Sequence, residues 1–369
     1  MKNSLILLFC FGLLEGSDLE KWLSLAGNNR SEIEQAITEI PDEQYPGMEW
    51  LITHMPDEDI KTLSAEFLIN NCSLAYEAWK NSPWVSEIPE DIFFDSILPY
   101  ANLNERRDDW RKDFHNKFAS IVNSTKTPYE AAVLLNHKIY EMMGVKYSTE
   151  RPKADQSPYE SIDAGMASCT GLSILLIDAC RSVGIPARFV GTPLWYNNSG
   201  NHSWVEIWDD GWHFTGAAEP TGNKLNEAWF SELASKATKG DMKHGIFAAT
   251  WNNSDIYFPM DWSPGVKTYK AVNVTDRYTS NTHTGELVPI RIRALDSSGI
   301  RQSVKVTIIG QDNFTFEGMS KGESCDANDH LTIMLPRGGI FTVQSVYDVQ
   351  KIAVIGEDII DLRAREIVN

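Results

Sequence analysis

At 369 residues the chain exceeds what one ordinary hydrophobic core supports and points to two or three domains. Hydrophobic residues at 42%, charged residues at 23% and twelve tryptophans exclude a mostly disordered chain. A formal net charge of -18 repels phosphate backbones and anionic lipid headgroups, which argues against nucleic acid and membrane surfaces as partners.

The chain opens MKNSLILLFCFGLLEGSDLEKW: Lys2 precedes an apolar run from Leu5 to Leu14, and small residues follow at Gly16 and Ser17. That is the pattern of a secretory signal peptide over residues 1–17, and it predicts a secreted or periplasmic protein with no membrane insertion once the signal is removed. A buried N-terminal helix is the alternative, because the leader carries a single positive charge. Phe9 rather than a small residue precedes Cys10, which makes Cys10 a poor lipid-anchor acceptor. Removal of the leader would leave Cys72, Cys169, Cys180 and Cys325, too few for a disulfide scaffold in so long a chain.

Residues 18–125 read as a helical domain. Ser31-Glu32-Ile33-Glu34 has the form of a capping box, with Ile33 and Ile37 on one face of the helix it would open. EDIKTLSAEFLI and LNERRDDWRKDFHNKFASIV also show helical spacing. A mixed core is predicted over 126–262. Thr127-Pro128-Tyr129-Glu130 caps its first helix, with Ala131, Leu134, Leu135 and Ile139 following. From about residue 185 short aromatic and β-branched strands take over (PARFVGTP, HSWVEIW, WHFTGAA), and Asp209-Asp210-Gly211 is a hairpin turn. FPMDWSPG, residues 258–265, is the predicted linker. Beyond it VPIRIRAL, SVKVTIIG, HLTIML and FTVQSVY alternate with Gly, Asp and Asn turns, predicting a β-sandwich domain over 266–369. The fold class is therefore α+β.

The chemistry concentrates after Ser168. CTGLSILLIDACRSVG has apolar residues at helical spacing and stops at Gly184, which places Cys169 on a helix first turn. There the unpaired N–H groups and the positive end of the helix dipole favour thiolate over thiol. Cys180 follows eleven residues on, roughly 16 Å along the axis, too far for a disulfide within that helix. Leu172 and Leu176 precede it at intervals of four, so it faces the core as a small hydrophobe. A nucleophilic thiol needs a base, and His202 opens a strand whose period of two puts His202, Trp204, Glu206 and Trp208 on one face.

The order Cys169, a helix, GIPARF, then His202-Ser203-Trp204-Val205-Glu206 and Trp212 resembles the transglutaminase-like superfamily of cysteine enzymes over roughly residues 125–225. The resemblance implies a papain-like triad of a Cys at a helix N-terminus, a His beginning a strand and an Asp on the next strand. More loosely, NNRSEIE, FDSILPYANLNERRDDWR and FTGAAEPT resemble a multidomain secreted bacterial group of that superfamily, which brings no substrate with it. One position departs from the pattern: the family's D-P-T sequence after the strand tryptophan is missing, and Trp212-His213-Phe214-Thr215 runs into Gly216. Glu219-Pro220-Thr221 reads as the same turn displaced, with Glu219 as the acid that orients His202. Glu206 shares the His202 face, but four residues along a strand is about 13 Å.

These readings predict a cysteine enzyme acting on amide bonds, more a peptidase or amidase than a cross-linker, with Cys169 as nucleophile, His202 as base and Glu219 as orienter. Its partner is a protein, peptide or glycopeptide substrate. No cofactor is required. A metal site of Cys169, His202, His213 and a carboxylate lacks any close ligand pair such as CxxC or HxxxH. The competing reading is a catalytically impaired module that binds glycan or peptide through Trp195, Trp204, Trp208 and Trp212. Among the Asn-X-Ser/Thr sequons, a glycan on Asn201 would block His202 beside it.

Overall fold

The computed structural model describes residues 16–279, 287–310, 314–336, 340–354 and 356–364. Most of the predicted leader, residues 1–15, lies outside the described residues. Among the described residues no helix is long and apolar enough to cross a membrane. The chain divides into two compact units, one ending at Ser73 and the other beginning at Leu74.

The first unit is helical: α1 (Gly16–Leu25), α2 (Arg30–Glu39), α3 (Tyr45–His54), α4 (Asp57–Ile60) and the start of α5 (Ala65–Asn81). Ile33 and Ala36 of α2, Met48, Leu51 and Ile52 of α3, and Leu68 and Cys72 of α5 are buried in it. The expected capping box does not form. Helix α2 begins at Arg30, so Ser31 lies inside the helix, and Glu34 pairs with Arg30 at 2.7 Å. Asn29 precedes the helix, but its side chain donates to the Ile60 and Leu63 carbonyls.

The second unit opens with α6 (Glu90–Ser96), α7 (Arg111–Val122), α8 (Pro128–Met143), β1 (Lys146–Tyr147), α9 (Pro158–Ala164), β2 (Met166–Ala167) and α10 (Cys169–Ser182). Thr127 caps α8 as predicted, its hydroxyl accepting the Glu130 N–H. A capping box, Ser157 with Glu160, starts α9. Every residue of α10 from Thr170 to Ser182 is buried, so the helix is the axle of this layer. Truncating a core residue such as Leu176 to Ala would cost roughly 2–5 kcal/mol. Arg181 pins the far end of the helix by donating to the Ser96, Ala187, Pro99 and Ala101 carbonyls. Gly184 then turns the chain at φ +78°, where a Cβ would collide with the Ala78 carbonyl.

A six-stranded antiparallel sheet packs on α10. Its strands are β3 (Ala187–Thr192), β4 (His202–Trp208), β5 (Trp212–Thr215), β6 (Phe247–Thr250), β7 (Ile256–Tyr257) and β8 (Lys270–Asn273), with α11 (Ser231–Ser235) before β6 and α12 (Thr275–Thr279) after β8. Their spatial order is β5-β4-β3-β6-β8-β7. Asp209-Asp210-Gly211 makes the predicted hairpin turn, with Asp210 at φ 49° and the Asp209 N–H donating to the Gly211 carbonyl. The 258–265 stretch lies between β7 and β8, and Phe258 and Met260 are buried in it, so the sheet of the mixed core continues past that stretch to Asn273.

The remaining strands are β9 (Leu287–Leu295), β10 (Lys305–Ile309), β11 (Thr315–Met319), β12 (Leu331–Pro336), β13 (Ile340–Gln344), β14 (Val349–Ala353) and β15 (Asp358–Arg363). They form a β11-β10-β13-β14 sheet and a β12-β9-β15 sheet, antiparallel except for the β9–β15 pair. Ile290 and Ile292 of one sheet and Val306, Ile308 and Val343 of the other share a single core, which is the expected sandwich.

Candidate active site

Ser168 sets the position of the thiol. Its Oγ accepts the N–H groups of Thr170 (3.1 Å) and Gly171 (3.3 Å) and donates to the Ala154 carbonyl (2.7 Å). The helix therefore starts at Cys169, whose own N–H is not taken by that cap. His202 is the first residue of β4, paired in register with Thr192 at the end of β3. One residue further along each element, Thr170 Oγ1 and Ser203 Oγ lie 3.1 Å apart, which fastens the start of the helix to the start of the strand. Cys169 Sγ, a ring nitrogen of His202 and a carboxylate oxygen of Asp326 consequently lie within 4.8 Å of one another.

The His202 ring sits in an aromatic cage of Trp195, Trp204, Trp229 and Phe230, at 4.8–6.0 Å between centroids, and the residue is 2% exposed. Trp195 and Trp204 are core residues. Trp208 and Trp212 are half-buried, and the Arg188 guanidinium lies 3.7 Å over the Trp212 ring. Glu206, on the same strand face, is engaged elsewhere: it accepts from Arg188 at 2.7 Å, Arg277 at 2.5 Å and Tyr278 at 2.8 Å.

Two other carboxylates flank the imidazole. Glu219 Oε2 lies 3.6 Å from Nε2, and Asp326 Oδ2 lies 3.6 Å from Nδ1. Both separations are just beyond hydrogen-bonding distance, and neither ring nitrogen makes a hydrogen bond among the described residues. Trp229 Nε1 holds Glu219 Oε2 at 2.7 Å. The same oxygen would lie 2.5 Å from a Cβ built on Gly216. This accounts for the missing aspartate: the Glu219 carboxylate folds back over Gly216 and fills the space a side chain there would need. The turn that achieves this has Ala218 at φ 63°, and it is tied to α8 by Asn136, which donates to Thr215 and Gly216 and accepts the Ala218 N–H.

Asp326 comes from the loop between β11 and β12, in the sandwich. Arg301 anchors that loop by donating to the carbonyls of Cys325 (2.7 Å), Asp326 (2.9 Å) and Asp329 (2.9 Å). The Asn328 N–H fixes the carboxylate through Oδ1 at 2.8 Å, leaving Oδ2 toward His202. Sequence reasoning missed Asp326. It stands in an Asp-Ala-Asn-Asp run that reads as an ordinary turn, more than a hundred residues from His202.

Burial alone would push the His202 pKa down, but the Asp326 charge, helped by Cys169 and Glu219, outweighs it and holds the imidazole well above its usual value. Burial likewise works against ionised Asp326, and the facing His202 charge overcomes it, leaving that carboxyl below its ordinary range. Both shifts favour the ion-paired form of the two side chains. Asp329, on the same loop, is pushed up to about 7 by burial and then by the Glu219 charge, with Lys321 opposing at 3.2 Å. Cys180 is buried and unbonded to Cys169, and burial pushes its thiol up, as a core cysteine requires.

A thiol, an imidazole and a carboxylate are donors that zinc accepts, so Cys169, His202 and Asp326 are the residues that could hold one. His213 is not among them: its Nε2 lies against the Asp209 carbonyl and its Nδ1 against the Asn226 amide. A cleft of about 790 Å³ reaches Glu219 and Trp229, lined also by Trp212, Asn226 and Lys321. A second cavity touches His202 with Thr192, Asn201 and Asp261, and it holds only about 10 Å³.

The transglutaminase-like superfamily model matches residues 116–216, so that segment, which contains Cys169 and His202, is a transglutaminase-like domain. The match ends at Gly216, before Glu219. Comparison with curated proteins gives no match. Among solved structures, a protein from Cytophaga hutchinsonii provisionally assigned as a cysteine protease is 20% identical, over 38% of this chain and 47% of that one, with a TM-score of 0.29. This chain thus spans less than half the length of that protein. Red sea bream transglutaminase is 9% identical over 77% of this chain and 59% of its own, with a TM-score of 0.22. A C-terminal fragment of the pilus adhesin SpaC from Lactobacillus rhamnosus GG is 12% identical over 48% of this chain and 88% of its own, with a TM-score of 0.18.

Proposed function

We propose that the protein is a secreted cysteine peptidase or amidase whose substrate is a protein, peptide or glycopeptide. The observation that carries this reading is the approach of a His202 ring nitrogen to a thiol at the N-terminus of a buried helix. The secreted location rests on the leader-like sequence of residues 1–17.

The thiolate of Cys169 attacks the amide carbonyl carbon, and the oxyanion that forms is met by the Cys169 N–H, which the Ser168 cap leaves unused. His202 in its imidazolium form gives its proton to the leaving amine as the C–N bond breaks, leaving a thioester on Cys169. Neutral His202 then takes a proton from water, the hydroxide oxygen attacks the thioester carbonyl, and the carboxylic acid departs as the thiolate is restored. Glu219 orients the ring from Nε2 and stabilises the imidazolium. Asp326 shares the 4.8 Å cluster with the sulfur and Glu219 does not, which supports Glu219 as the acid that orients the ring from its other side.

Iodoacetamide at pH 6–7, followed by peptide mass mapping, tests the thiol: Cys169 should be alkylated in preference to Cys180, and equal inertness of the two would sink the enzyme reading. Incubation of a peptide pool with excess primary amine separates the two acyl acceptors. Hydrolysed products lost on Cys169→Ser support a peptidase or amidase, whereas amine-conjugated products as the main species would make it a cross-linker.

A further inference from the structure

Accepting Cys169 and His202 as the catalytic pair, we propose that the apolar groove formed by Pro193 and residues 256–266 is a specificity subsite, which seats a large aliphatic or aromatic side chain of the substrate peptide beside the bond to be cleaved. The substrate class proposed above thereby narrows to peptides that carry such a residue at one fixed position.

Three observations carry this. The first is where the groove lies. It holds about 550 Å³, and Pro193, Phe258, Pro259 and Asp261 line both it and the small cavity that touches His202. That cavity also touches Ser203, whose hydroxyl oxygen lies 3.1 Å from that of Thr170, the residue after Cys169. A side chain seated in the groove therefore brings the backbone that bears it to the edge of the catalytic pair.

The second is what the groove presents. Between Val145 and Gly299 the large apolar side chains exposed among the described residues are Met242 and Val266, at 52% and 40%, and both line it. Tyr257, Phe258, Pro259 and Met260 extend the same lining, and its charged residues, Lys243 and Lys267 with Asp255 and Asp261, balance in sign. Burial of apolar surface is thus the interaction this groove supplies. The cleft of about 790 Å³ on the Glu219 side differs, since Glu219, Glu227, Glu232, Arg277 and Lys321 all line it. Polar parts of a substrate suit that cleft, and an apolar side chain suits this groove.

The third is that the groove is built before substrate arrives. Phe258 is buried, packs edge-on against Phe189 at 5.4 Å between centroids and donates its N–H to the Tyr269 carbonyl at 2.8 Å. The Trp262 indole N–H donates to Asn104 at 3.0 Å, which ties the same segment to the chain ahead of α7. Pro193, Pro259 and Pro264 remove backbone freedom from the walls. The stretch that reads in the sequence as a linker thus works as a wall. A wall fixed in advance leaves less ordering to lose on binding, so more of the burial is expressed as selectivity.

The test is the rate at which dipeptidyl chloromethyl ketones alkylate Cys169 at pH 7 in the full chain, mapped by mass spectrometry. Each of the two positions carries Leu, Phe, Lys or Asp in turn, and every rate is taken relative to iodoacetamide, which has no side chain to seat. At one position Leu and Phe should react at least roughly tenfold faster than Lys and Asp. Met242→Asp and Val266→Asp place a charge in the groove from exposed positions, and each should erase most of that advantage, with Cys180 unlabelled as a check on folding. A preference that survives both variants overturns the subsite. A decanoyl-glycyl reagent that outpaces the Leu and Phe ones overturns it too, since the groove would then seat an acyl chain. If iodoacetamide labels Cys169 while the peptide side chain makes no difference, the catalytic pair stands and the subsite alone is wrong; if Cys169 is inert to every reagent, the pair fails and the subsite with it.

Discussion

Glu219 and Asp326 stand at the same distance, 3.6 Å, from opposite nitrogens of one buried imidazole, yet they arrive by different routes. Glu219 belongs to a turn of the catalytic core, braced by Trp229 on its carboxylate and by Asn136 on its backbone. Asp326 belongs to the loop between β11 and β12 of the sandwich, braced by Arg301 from the chain between β9 and β10. One acid is built into the strand layer that carries the histidine, and the other is brought to the ring by long-range packing of the sandwich loop, so equal distance from the ring does not mean equal dependence on the local fold.

The largest effect bearing on this contrast is expected at Glu219. Glu219→Gln removes the charge opposite Nε2 while keeping the Trp229 contact possible, and both peptide hydrolysis and Cys169 alkylation should fall by roughly 10²-fold or more. Loss of activity with Asp326→Ala but not with Glu219→Gln would reverse the assignment. A smaller effect, roughly tenfold on kcat with KM little changed, is expected for Gly216→Ala, because the added Cβ overlaps the Glu219 carboxylate and swings it off the ring. Full activity in that variant would mean that Glu219 can move without consequence and is not the orienter.

Why one of these acids could be read from the chain and the other could not is a matter of range. Cys169 is legible because Ser168, the apolar spacing of α10 and Gly184 are all local signals, and His202 because strand alternation and the superfamily resemblance agree on it. Glu219 is legible as a displaced turn, although the reason for the displacement, a carboxylate folded over Gly216, is visible only in three dimensions. Asp326 leaves no local trace. Its neighbours make an ordinary turn, and only the packing of the sandwich loop against the site gives it a role. Local signals also misled. Ser31 has the spacing of a cap, but Glu34 pairs with Arg30 and Asn29 with two carbonyls, so α2 starts earlier than a Ser31 cap would allow. The 258–265 stretch has the prolines of a linker, and yet β8 returns to the same sheet beyond it.

The smallest effect concerns stability, and it links the two regions through a third acid. Asp329 lies on the Asp326 loop, and burial together with the Glu219 charge raises it to about 7. A carboxyl whose folded pKa lies above its ordinary value binds its proton more tightly in the folded state. It leaves stability undiminished below about pH 4 and lowers it as pH rises toward 7, by about 1.4 kcal/mol for each tenfold gain in proton affinity on folding. His202, also raised, works in the same direction, stabilising fully below its ordinary value and less as pH climbs through its folded one. Subtracting the unaltered protein from Asp329→Asn isolates the first contribution. The variant's Tm should exceed that of the unaltered protein by more at pH 8 than at pH 4. The excess should shrink when Glu219→Gln is added, because the charge that helps hold Asp329 neutral is then gone. A Tm difference that does not depend on pH would mean that Asp329 stays ionised against Lys321, and the core acid and the sandwich loop would then not be coupled through it.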